Sequence, residues 1–426
     1  MKRIVIFGST GSIGESLLNL VKNDKKNFNV ELISANRNYK KLLKQAKYFN
    51  VKNLIISDYN SFIKAKKINK NKNINIFNNF TSLKKIFKKK KIDYTMSAIS
   101  GFYGLKPTLD IIEFTKIIAI ANKESIICGW NLIKKKIQKF NTKFIPVDSE
   151  HFSIWSLLSD TKDTNIEKIY ITASGGPFNK LPLKKFSSIS NIQALKHPNW
   201  SMGKKISIDS STMMNKLFEL IEAKKIFNIN YNQIEATIHS KSYIHCMVKF
   251  SNGLIKLLAH ETDMRIPIFN TLYYASKKKI NTKKIDFKIL NKLDFQKINI
   301  KKFPVMKLVK ELPKKDSLFE TILVSVNDTL VAVSYTHNSL IFKRTYLLRH
   351  TICSMFAGVI RLYFWNSFSL SIFKSILEIS RKFIFFCKKF STNVSLTLTK
   401  IVSNKESFFG SSLTNFITGN FLMFIF

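Results

Sequence analysis

Acidic residues and cysteines are scarce in this chain of 426 residues. It has 27 Asp and Glu against 70 Lys and Arg, which gives a formal net charge of +43 at pH 7. Its four cysteines, Cys128, Cys246, Cys353 and Cys387, lie far apart and form no C-x-x-C pair. The sequence therefore indicates neither a zinc site nor a disulfide framework. Because this cysteine usage is typical of a reducing compartment, we predict a cytoplasmic protein.

Long apolar runs are also missing. The nearest candidate, residues 352–373, contains Arg361 and falls short of the roughly 20 uninterrupted apolar residues that a membrane span needs. The N-terminal run at residues 4–7 ends at Gly8, which makes it too short for a signal peptide and predicts a buried strand instead. We predict no membrane association.

The positive charge raises nucleic acid as a partner, because basic clusters gain free energy from counterion release. The lysines, however, are spread over all segments and form no basic patch with interleaved aromatic residues. They accompany heavy use of Asn, Ile and Phe, which is typical of an A/T-rich genome. We predict no nucleic-acid partner, and a basic nucleic-acid-binding protein that has lost catalysis is the alternative from another class. A phosphate-bearing substrate would still benefit from the positive field.

Apolar patterns divide the chain into segments of different fold class. Residues 1–150 alternate short apolar runs with helical patterns, which predicts an α/β domain with a Rossmann-like parallel sheet. Residues 151–276 predict a second, α+β domain with one strong helix at 211–227. The predicted strands are 3–7, 30–34, 54–56, 94–98, 117–121 and 144–147 in the first domain, and 168–173, 237–239 and 247–250 in the second.

The remaining third of the chain carries weaker patterns. Residues 277–304 are rich in Lys and Asn and predict a linker, and residues 305–390 predict a C-terminal helical domain. The last stretch, 391–426, has no clean period, and we assign it no structure.

A glycine-rich turn, GSTGSIG at residues 8–14, follows the first predicted strand and precedes a helical pattern. Glycines there let backbone N–H groups approach a pyrophosphate at a helix N-terminus, which favours a dinucleotide over a plain turn. The second strand ends in Asn36, Arg37 and Asn38, without the acidic residue that binds the ribose of NAD. A guanidinium and amides suit a 2′-phosphate and favour NADP(H), with a solvated surface arginine as the alternative.

Two polar segments follow later strands of the predicted parallel sheet. ANKES at 121–125 places Lys123 at the sheet edge that binds ligands, or else forms an ordinary helix cap with a surface ion pair. PVDSEH at 146–151 carries Asp148 and Glu150, which share a face in extended chain and can converge on Mg²⁺ or Mn²⁺. An acidic helix start is the alternative for the second segment.

A third carboxylate, Glu219, follows the block SIDSSTMMNK. If Asp209 or Ser210 caps the helix there, Asn215 and Glu219 form an i,i+4 pair with Lys216 beside them. One helical turn then offers an amide, an ammonium and a carboxylate to a ligand. A solvated helix face with a local ion pair has the same spacing.

Two glycine-containing segments lie between these carboxylates. SGGPF at 174–178 presents the Ser174 hydroxyl and backbone donors suited to a phosphate. The loop 195–205 contains HPNWSMG, is broken by Pro and Gly, and carries Trp200. We predict that this loop is a mobile lid that excludes water, and a static loop anchored by the indole is the alternative.

Together these blocks resemble the 1-deoxy-D-xylulose 5-phosphate reductoisomerase family. GSTGSIG, ANKES, PVDSEH, SGGPF, HPNWSMG and SIDSSTMMNK occur in that family's order within residues 1 to about 340. The resemblance implies an N-terminal NADPH domain, a central catalytic domain, a C-terminal helical domain and a homodimer. It also implies a reaction: NADPH- and divalent-metal-dependent isomerisation and reduction of 1-deoxy-D-xylulose 5-phosphate to 2-C-methyl-D-erythritol 4-phosphate, in non-mevalonate isoprenoid precursor biosynthesis.

The resemblance further implies roles for individual residues. Those that would contact NADPH are Thr10, Gly11, Ser12, Ile13, Asn36, Arg37, Asn38, Asn122, Glu124 and Gly203. The ligands of Mn²⁺ or Mg²⁺ would be Asp148, Glu150 and Glu219, which with Lys123 form the catalytic set. The substrate would be bound by Ser149, Ser174, His197, Ser210, Asn215 and Lys216, with Lys123, Glu150 and Glu219 at the reacting end and Trp200 on the lid.

The chain departs from the family at several places. Leu217 stands where a glycine is expected, His239 is not followed by the usual proline, and residues 323–328 match only loosely. Beyond Phe342 the likeness fades, so a catalytically impaired relative with a degraded C-terminus is an alternative. A semialdehyde dehydrogenase is the alternative enzyme class, but it requires a catalytic cysteine in a polar loop, whereas Cys128 has apolar neighbours.

Overall fold

A computed structural model of the chain describes residues 1–336 except 89–90, 160–164, 201, 275, 277, 281–290, 292 and 315–316. All of these residues belong to one compact unit, Met1–Met355. Most of the helical domain predicted at 305–390, and the whole tail 391–426, lie outside the described residues.

A seven-stranded parallel sheet forms the N-terminal part. Its strands are β1 (Lys2–Phe7), β2 (Phe28–Ala35), β3 (Asn53–Ile56), β4 (Asn75–Phe77), β5 (Ile92–Ser97), β6 (Thr115–Ile120) and β7 (Lys143–Pro146). They lie in the order β4-β3-β2-β1-β5-β6-β7, so the direction of winding reverses between β1 and β5. Open α/β sheets bind ligands outside the carboxyl ends of the strands at such a reversal. The predicted α/β class with a parallel sheet is confirmed.

Helices cover both faces of this sheet. They are α1 (Ser12–Asn23), α2 (Tyr39–Phe49), α3 (Tyr59–Ile68), α4 (Leu83–Phe87), α5 (Leu105–Ile112) and α6 (Lys123–Phe140). The strands are near-continuous apolar runs because both faces are buried, and Ile4, Ile6, Leu17 and Val21 are inaccessible to solvent in the shared core.

A second sheet of five strands lies in the central part. Helix α7 (Ser149–Leu158) leads into β8 (Ile166–Ala173), and the further strands are β9 (Ile234–Ile238), β10 (Ile244–Phe250), β11 (Ile255–Ala259) and β12 (Gln296–Lys297). Their order is β11-β10-β8-β9-β12, in which β8 and β9 pair in parallel and the other pairs are antiparallel. The helices of this part are α8 (Asn191–Leu195), α9 (Lys204–Ser211), α10 (Met214–Phe227) and α11 (Arg265–Leu272).

The helix predicted at 211–227 begins elsewhere, and its predicted cap was wrong. Asp209 and Ser210 belong to α9, which ends at Ser211, and α10 starts at Met214. Met213 separates the two helices with a left-handed φ of 64°. A methionine carries no sequence signal for that conformation, which L-residues seldom adopt, so the break could not be predicted.

The interval predicted as a linker, 277–304, contributes to the fold at two described points. Strand β12 adds to β9 at the sheet edge, and the Phe303 side chain is fully buried. Helix α12 (Ser317–Thr336) follows and packs on α6. The domain boundaries at 150, 276 and 304 stay predictions. No helix among the described residues is both long and apolar enough to cross a membrane.

Candidate active site

Three carboxylates converge between helices α7 and α10. Asp148 is the N-cap of α7, Glu150 lies in the first turn of that helix, and Glu219 projects from α10. Their side-chain oxygens lie within 4.8 Å of one another. The convergence that the sequence predicted is therefore present among the described residues.

The reason given for this convergence was wrong. Asp148 and Glu150 are not in extended chain, because β7 ends at Pro146 and the Asp148 side chain accepts from the Glu150 backbone N–H at 3.4 Å. Asp148 and Glu150 thus form an acidic helix start, which was the alternative structure for this segment. Asp148 and Glu150 meet Glu219 because α10 packs on α7, where His151 Nε2 donates to the Glu219 backbone carbonyl.

Two buried lysines neutralise the carboxylates. Lys123 Nζ lies 2.8 Å from Asp148 Oδ2, 2.8 Å from Asn215 Oδ1 and 3.3 Å from Glu219 Oε1. Lys216 Nζ lies 3.0 Å from Glu150 Oε1 and also contacts Glu219 Oε2. Burial opposes charge on both lysines, but the fields of the carboxylates outweigh it and raise the pKa of Lys123 and of Lys216. Both ammonium groups therefore stay protonated at neutral pH.

Burial also acts on the acidic groups of the site. It raises the pKa of Glu150 to about 7, with the field of Glu219 adding to the shift. For Asp148 the ammonium of Lys123 overcomes burial and holds the pKa well below its usual range. The two carboxylates of one helix turn thus differ in proton affinity. Lys123 and His151 favour the anionic form of Asp148, whereas at Glu150 the ammonium of Lys216 does not outweigh burial and the field of Glu219.

A histidine and a fourth carboxylate lie behind this cluster, and sequence reasoning missed both. His151 is fully buried and its Nε2 donates to the Glu219 backbone carbonyl at 2.9 Å. Its Nδ1 faces Asp148 Oδ1 at 3.4 Å and Glu222 Oε2 at 3.3 Å. Burial lowers the pKa of His151, but Glu222 and Asp148 raise it to about 9. The signals that were available are the place of His151 beside Glu150 and the i,i+3 spacing of Glu222 from Glu219.

The three carboxylates are suitable ligands for a hard divalent cation. Asp148, Glu150 and Glu219 offer carboxylate oxygens, which Mg²⁺ and Mn²⁺ prefer, and they are close enough to serve one ion. Asp148 and Glu150 come from the start of α7, and Glu219 comes from within α10.

A serine and a histidine lie on the neighbouring loop after β8. Ser174 Oγ is 3.0 Å from His197 Nε2 and accepts from the Gly176 backbone N–H at 3.1 Å. His197 Nδ1 accepts from the N–H groups of Asn199 and Trp200, so its proton is on Nε2 and is donated to Ser174. Burial lowers the pKa of His197 to about 4, which keeps the ring neutral.

The predicted lid and the remaining substrate residues lie around this pair. The Asn199 amide donates to the Ser240 carbonyl at 2.7 Å, and the Trp200 indole packs edge-on against His245 at 6.0 Å. Ser210 lies in α9, where a Cβ on Gly176 would approach its carbonyl oxygen to 2.8 Å. The Ser149 hydroxyl donates to Glu150 Oε2 at 2.6 Å. Ser201 lies outside the described residues, and motion of the loop stays a prediction.

The glycine-rich turn occupies the carboxyl end of β1. Gly8 has φ +73°, and a Cβ on Gly14 would lie 2.5 Å from the Gly8 carbonyl oxygen, so both positions require glycine. Gly11 is the N-cap of α1 and provides no capping side chain, which leaves the N–H groups of the first turn, from Ser12 onward, facing the end of the sheet. Thr10 lies in the turn, and Ile13 packs against the core.

Residues after β2 surround the same crevice. The Asn36 amide donates to Ser57 Oγ at 2.9 Å, and the Asn38 side chain caps α2. The Arg37 side chain is 83% exposed, with its Nε 3.6 Å from Asp58 Oδ1. Its guanidinium is therefore accessible to an anion.

Three further residues predicted to contact a nucleotide lie at helix starts. Asn122 caps α6 and is bonded to the Ser125 N–H at 2.7 Å and to the Gly101 carbonyl at 2.7 Å. Glu124 is 8% exposed and is bound by Lys205. Gly203 is the N-cap of α9, where an added Cβ would meet open space among the described residues. The Glu124 carboxylate is thus engaged within the protein.

Cys128 gives no support to a thiol-dependent dehydrogenase. It lies buried in α6, and burial raises the pKa of its thiol to about 12. A nucleophilic cysteine requires the opposite shift.

The parallel sheet, its glycine-rich first turn and the lysine-neutralised carboxylate cluster define a nucleotide-binding α/β enzyme with a centre suited to a divalent metal. Sequence comparison agrees in detail. A model of 1-deoxy-D-xylulose 5-phosphate reductoisomerase matches residues 4–129, and two models of C-terminal domains of that enzyme match residues 144–227 and 260–357. The chain belongs to the 1-deoxy-D-xylulose 5-phosphate reductoisomerase family.

Individual relatives support the same assignment. The 1-deoxy-D-xylulose 5-phosphate reductoisomerase of Pelagibacter ubique (strain HTCC1062) is 64% identical over 332 residues, which is 78% of this chain and 86% of the relative. The enzyme of Clostridium novyi (strain NT) is 40% identical over 334 residues, 78% of this chain and 86% of the relative.

Solved structures of such enzymes share the fold. The Zymomonas mobilis enzyme in complex with NADPH has a TM-score of 0.67 and 29% identity, and the match covers 83% of this chain and 99% of that one. A reductoisomerase in complex with NADPH, fosmidomycin and magnesium has a TM-score of 0.70 and 26% identity, with coverage of 84% and 98%.

Proposed function

We propose that the chain converts 1-deoxy-D-xylulose 5-phosphate to 2-C-methyl-D-erythritol 4-phosphate by NADPH- and divalent-metal-dependent isomerisation and reduction, in non-mevalonate isoprenoid precursor biosynthesis. The observation that carries this proposal is the convergence of Asp148, Glu150 and Glu219 with Lys123 and Lys216 in a member of the reductoisomerase family. The impaired alternative is not favoured, because each of these charged groups is present and paired.

NADPH is the proposed cofactor, and its site is the crevice at the carboxyl ends of β1 and β2. The open N-terminus of α1 suits a pyrophosphate, and the exposed Arg37 suits a 2′-phosphate. The relative from Zymomonas mobilis was solved with NADPH, which supports this choice. The proposed contacts are Thr10, Gly11, Ser12, Ile13, Asn36, Arg37, Asn38, Asn122, Glu124 and Gly203. Glu124 would act through its backbone, because its carboxylate is bound by Lys205.

The proposed metal ligands are Asp148, Glu150 and Glu219. A divalent cation supplies Lewis acidity and a template for the substrate's oxygens. Magnesium is present in a related structure, and we include Mn²⁺ because its ligand preference is the same.

The chain's own groups divide the remaining work. Lys123 Nζ is a protonated group beside the carboxylates, and it is placed to donate a proton to a developing oxyanion. The proposed phosphate and hydroxyl contacts are Ser149, Ser174, His197, Ser210, Asn215 and Lys216. Trp200 would exclude water from the substrate. Because His197 is neutral and already donates to Ser174, the pair presents a hydroxyl whose own proton is free for an anionic oxygen.

We further propose a homodimer located in the cytoplasm, with domains at 1–150, 151–276 and 305–390 and a linker at 277–304. Nucleic acid is not among the proposed partners. These statements rest on the family and on the sequence patterns.

Purified protein with 1-deoxy-D-xylulose 5-phosphate, NADPH and Mg²⁺ or Mn²⁺ should oxidise NADPH, which absorbance at 340 nm follows. Oxidation should require all three additions, and mass spectrometry should identify the product. A folded preparation that binds NADPH but does not turn over would reject the proposal in favour of the impaired relative. Binding to DNA at physiological salt, with no NADPH binding, would favour the nucleic-acid alternative.

Arg37→Ala should weaken NADPH binding about tenfold or more and leave NADH binding unchanged. The arginine is exposed at the end of β2, and hydrogen bonds to a charged group contribute about 1.5–3 kcal/mol. Fluorescence titration with each nucleotide measures the two constants. Lys40→Ala, which removes the same charge from a nearby exposed position, is the control and should have little effect. Equal loss of NADPH and NADH binding would contradict the role of Arg37.

A further inference from the structure

Lys205 joins three helices through carboxylates, and the proposed reaction does not use it. It lies in the first turn of α9, and its Nζ contacts Glu124 of α6, Asp209 of α9 at 2.9 Å and Asp328 of α12 at 3.1 Å. The Lys205 side chain is 20% exposed, and those of Glu124 and Asp209 are nearly buried. We call Lys205, Glu124, Asp209 and Asp328 the Lys205 junction.

Lys205 is the positive charge that neutralises the three carboxylates of this junction. One ammonium faces three carboxylates, whose fields overcome burial and raise the pKa of Lys205. Burial raises the pKa of Asp328 to about 6, with Glu124 and Asp209 adding to the shift. Without Lys205 the acids would face one another in a poorly solvated place, and the helices that carry them would separate.

Helix α12 reaches the junction through two successive side chains. Asp328 contacts Lys205, and the fully buried Asn327 donates from Nδ2 to Asp209 Oδ1 at 3.0 Å. These residues end the stretch 323–328, which matched the family only loosely in sequence. Through these contacts, residues 327 and 328 hold α9 against α12.

The junction lies one residue from the reacting lysine. Asn122, Lys123 and Glu124 form the start of α6, and each is held by a different contact. Asn122 is bonded to the Gly101 carbonyl, Lys123 to Asp148, and Glu124 to Lys205. Because a helical turn moves as a unit, releasing Glu124 shifts Lys123 as well. A displacement of about 1 Å at a reacting group can slow catalysis about a hundredfold.

We propose that Lys205 is a positioning residue, which holds the first turn of α6 against α9 and α12 and so fixes Lys123 Nζ at the carboxylate centre. The catalytic part of this inference rests on the proposed function. The mechanical part rests only on the contacts among Lys205, Glu124, Asp209 and Asp328.

Lys205→Met is the test, with Lys204→Met as the matched control because Lys204 is the exposed neighbour on the same helix. Amide hydrogen exchange followed by mass spectrometry should show about tenfold faster exchange at residues 122–126 and 203–211 in Lys205→Met, and unchanged exchange in β1. Turnover should fall about tenfold to a hundredfold in kcat with KM for the substrate within about threefold, since the proposed contacts Ser174, His197, Asn215 and Lys216 lie outside the loosened segments. Lys205→Arg should recover most of the loss.

A second variant keeps the inference testable if Lys205→Met folds poorly. Glu124→Gln preserves shape and removes only the carboxylate that ties α6, so it should reproduce the faster exchange at 122–126. The double variant should be no worse than Lys205→Met alone. If the losses of kcat in the two single variants multiply in the double variant, the two residues act independently and the inference is wrong. A uniform rise of hydrogen exchange that includes β1 would also overturn it. If the wild type has no reductoisomerase activity, the proposed function fails while the exchange measurements still decide the mechanical part.

Discussion

Asp148→Asn should abolish turnover while NADPH binding stays within about twofold of the wild type. The substitution keeps the size of the side chain and replaces an anionic ligand by an amide at the point where three carboxylates meet. A divalent cation that acts as Lewis acid and template contributes several kcal/mol to the transition state, so we expect a loss of about a thousandfold or more in kcat/KM. The proposed NADPH crevice at the ends of β1 and β2 does not include Asp148.

The measurements are steady-state kinetics, NADPH titration by fluorescence, and titration with Mn²⁺ by electron paramagnetic resonance. Metal affinity should fall in parallel with turnover. Asp93→Asn is the matched control, because Asp93 accepts from an ammonium at 2.8 Å as Asp148 does but pairs with the exposed Lys116 in the N-terminal sheet. Comparable loss of NADPH binding and turnover in Asp148→Asn would contradict the assignment of Asp148 as a metal ligand.

The sequence predicted those elements whose residues lie continuously in a core. Six of the seven strands of the parallel sheet were located, because most residues of these strands are buried on both faces and apolar residues therefore predominate in them. Strand β4 is three residues long and contains no fully buried residue, and β11 is an edge strand with exposed Ile255 and Leu257. Because few residues of either strand are buried, neither strand has the apolar pattern from which a strand can be predicted.

Site residues could be predicted where the signal lies in neighbouring positions of the sequence. They could not be predicted where the contact depends on the tertiary fold. Asp148 and Glu150 were found because they follow an apolar strand, and Glu219 because its i,i+4 spacing to Asn215 offers a third carboxylate on one helical turn. The contacts that His151 makes with Glu219 and Glu222, and that Lys205 makes with Glu124, join residues 68 to 81 positions apart, and no spacing rule reaches that far. The positive φ of Met213, which sets the angle between α9 and α10, has no sequence signal either.

Lys123→Met should have opposite effects on catalysis and on metal binding. The ammonium is the nearest positive charge to Asp148, and it would compete with a cation for the same oxygen at 2.8 Å and repel that cation. Removing it should therefore tighten metal binding by about tenfold while kcat falls about a hundredfold to ten-thousandfold, the range expected for loss of a proton donor. A residue that only supported the fold would not separate the two quantities in this way.

The same substitution should destabilise the metal-free protein. Asp148 and Glu219 would lose a shared counter-charge in a buried place, which costs about 3–5 kcal/mol when one partner of such a pair is removed. Added Mn²⁺ replaces that charge, and at about a hundred times its Kd it should return about 2.7 kcal/mol of stability. Thermal melting with and without metal measures this recovery, and Lys116→Met, which breaks an exposed pair, should show at most about 1 kcal/mol of loss.

If Mn²⁺ restores the stability of Lys123→Met but not its turnover, Lys123 has two separate roles, one electrostatic and one catalytic. In the metal-free protein it neutralises the carboxylates and keeps them converged, because three like charges within 4.8 Å repel one another. In the loaded protein the cation takes over that neutralisation, which leaves the ammonium free to serve as a proton donor. Lys123→Arg keeps the charge but not the compact shape, so it should preserve metal-free stability and still lose turnover. Full activity in Lys123→Arg would reduce Lys123 to its electrostatic task alone.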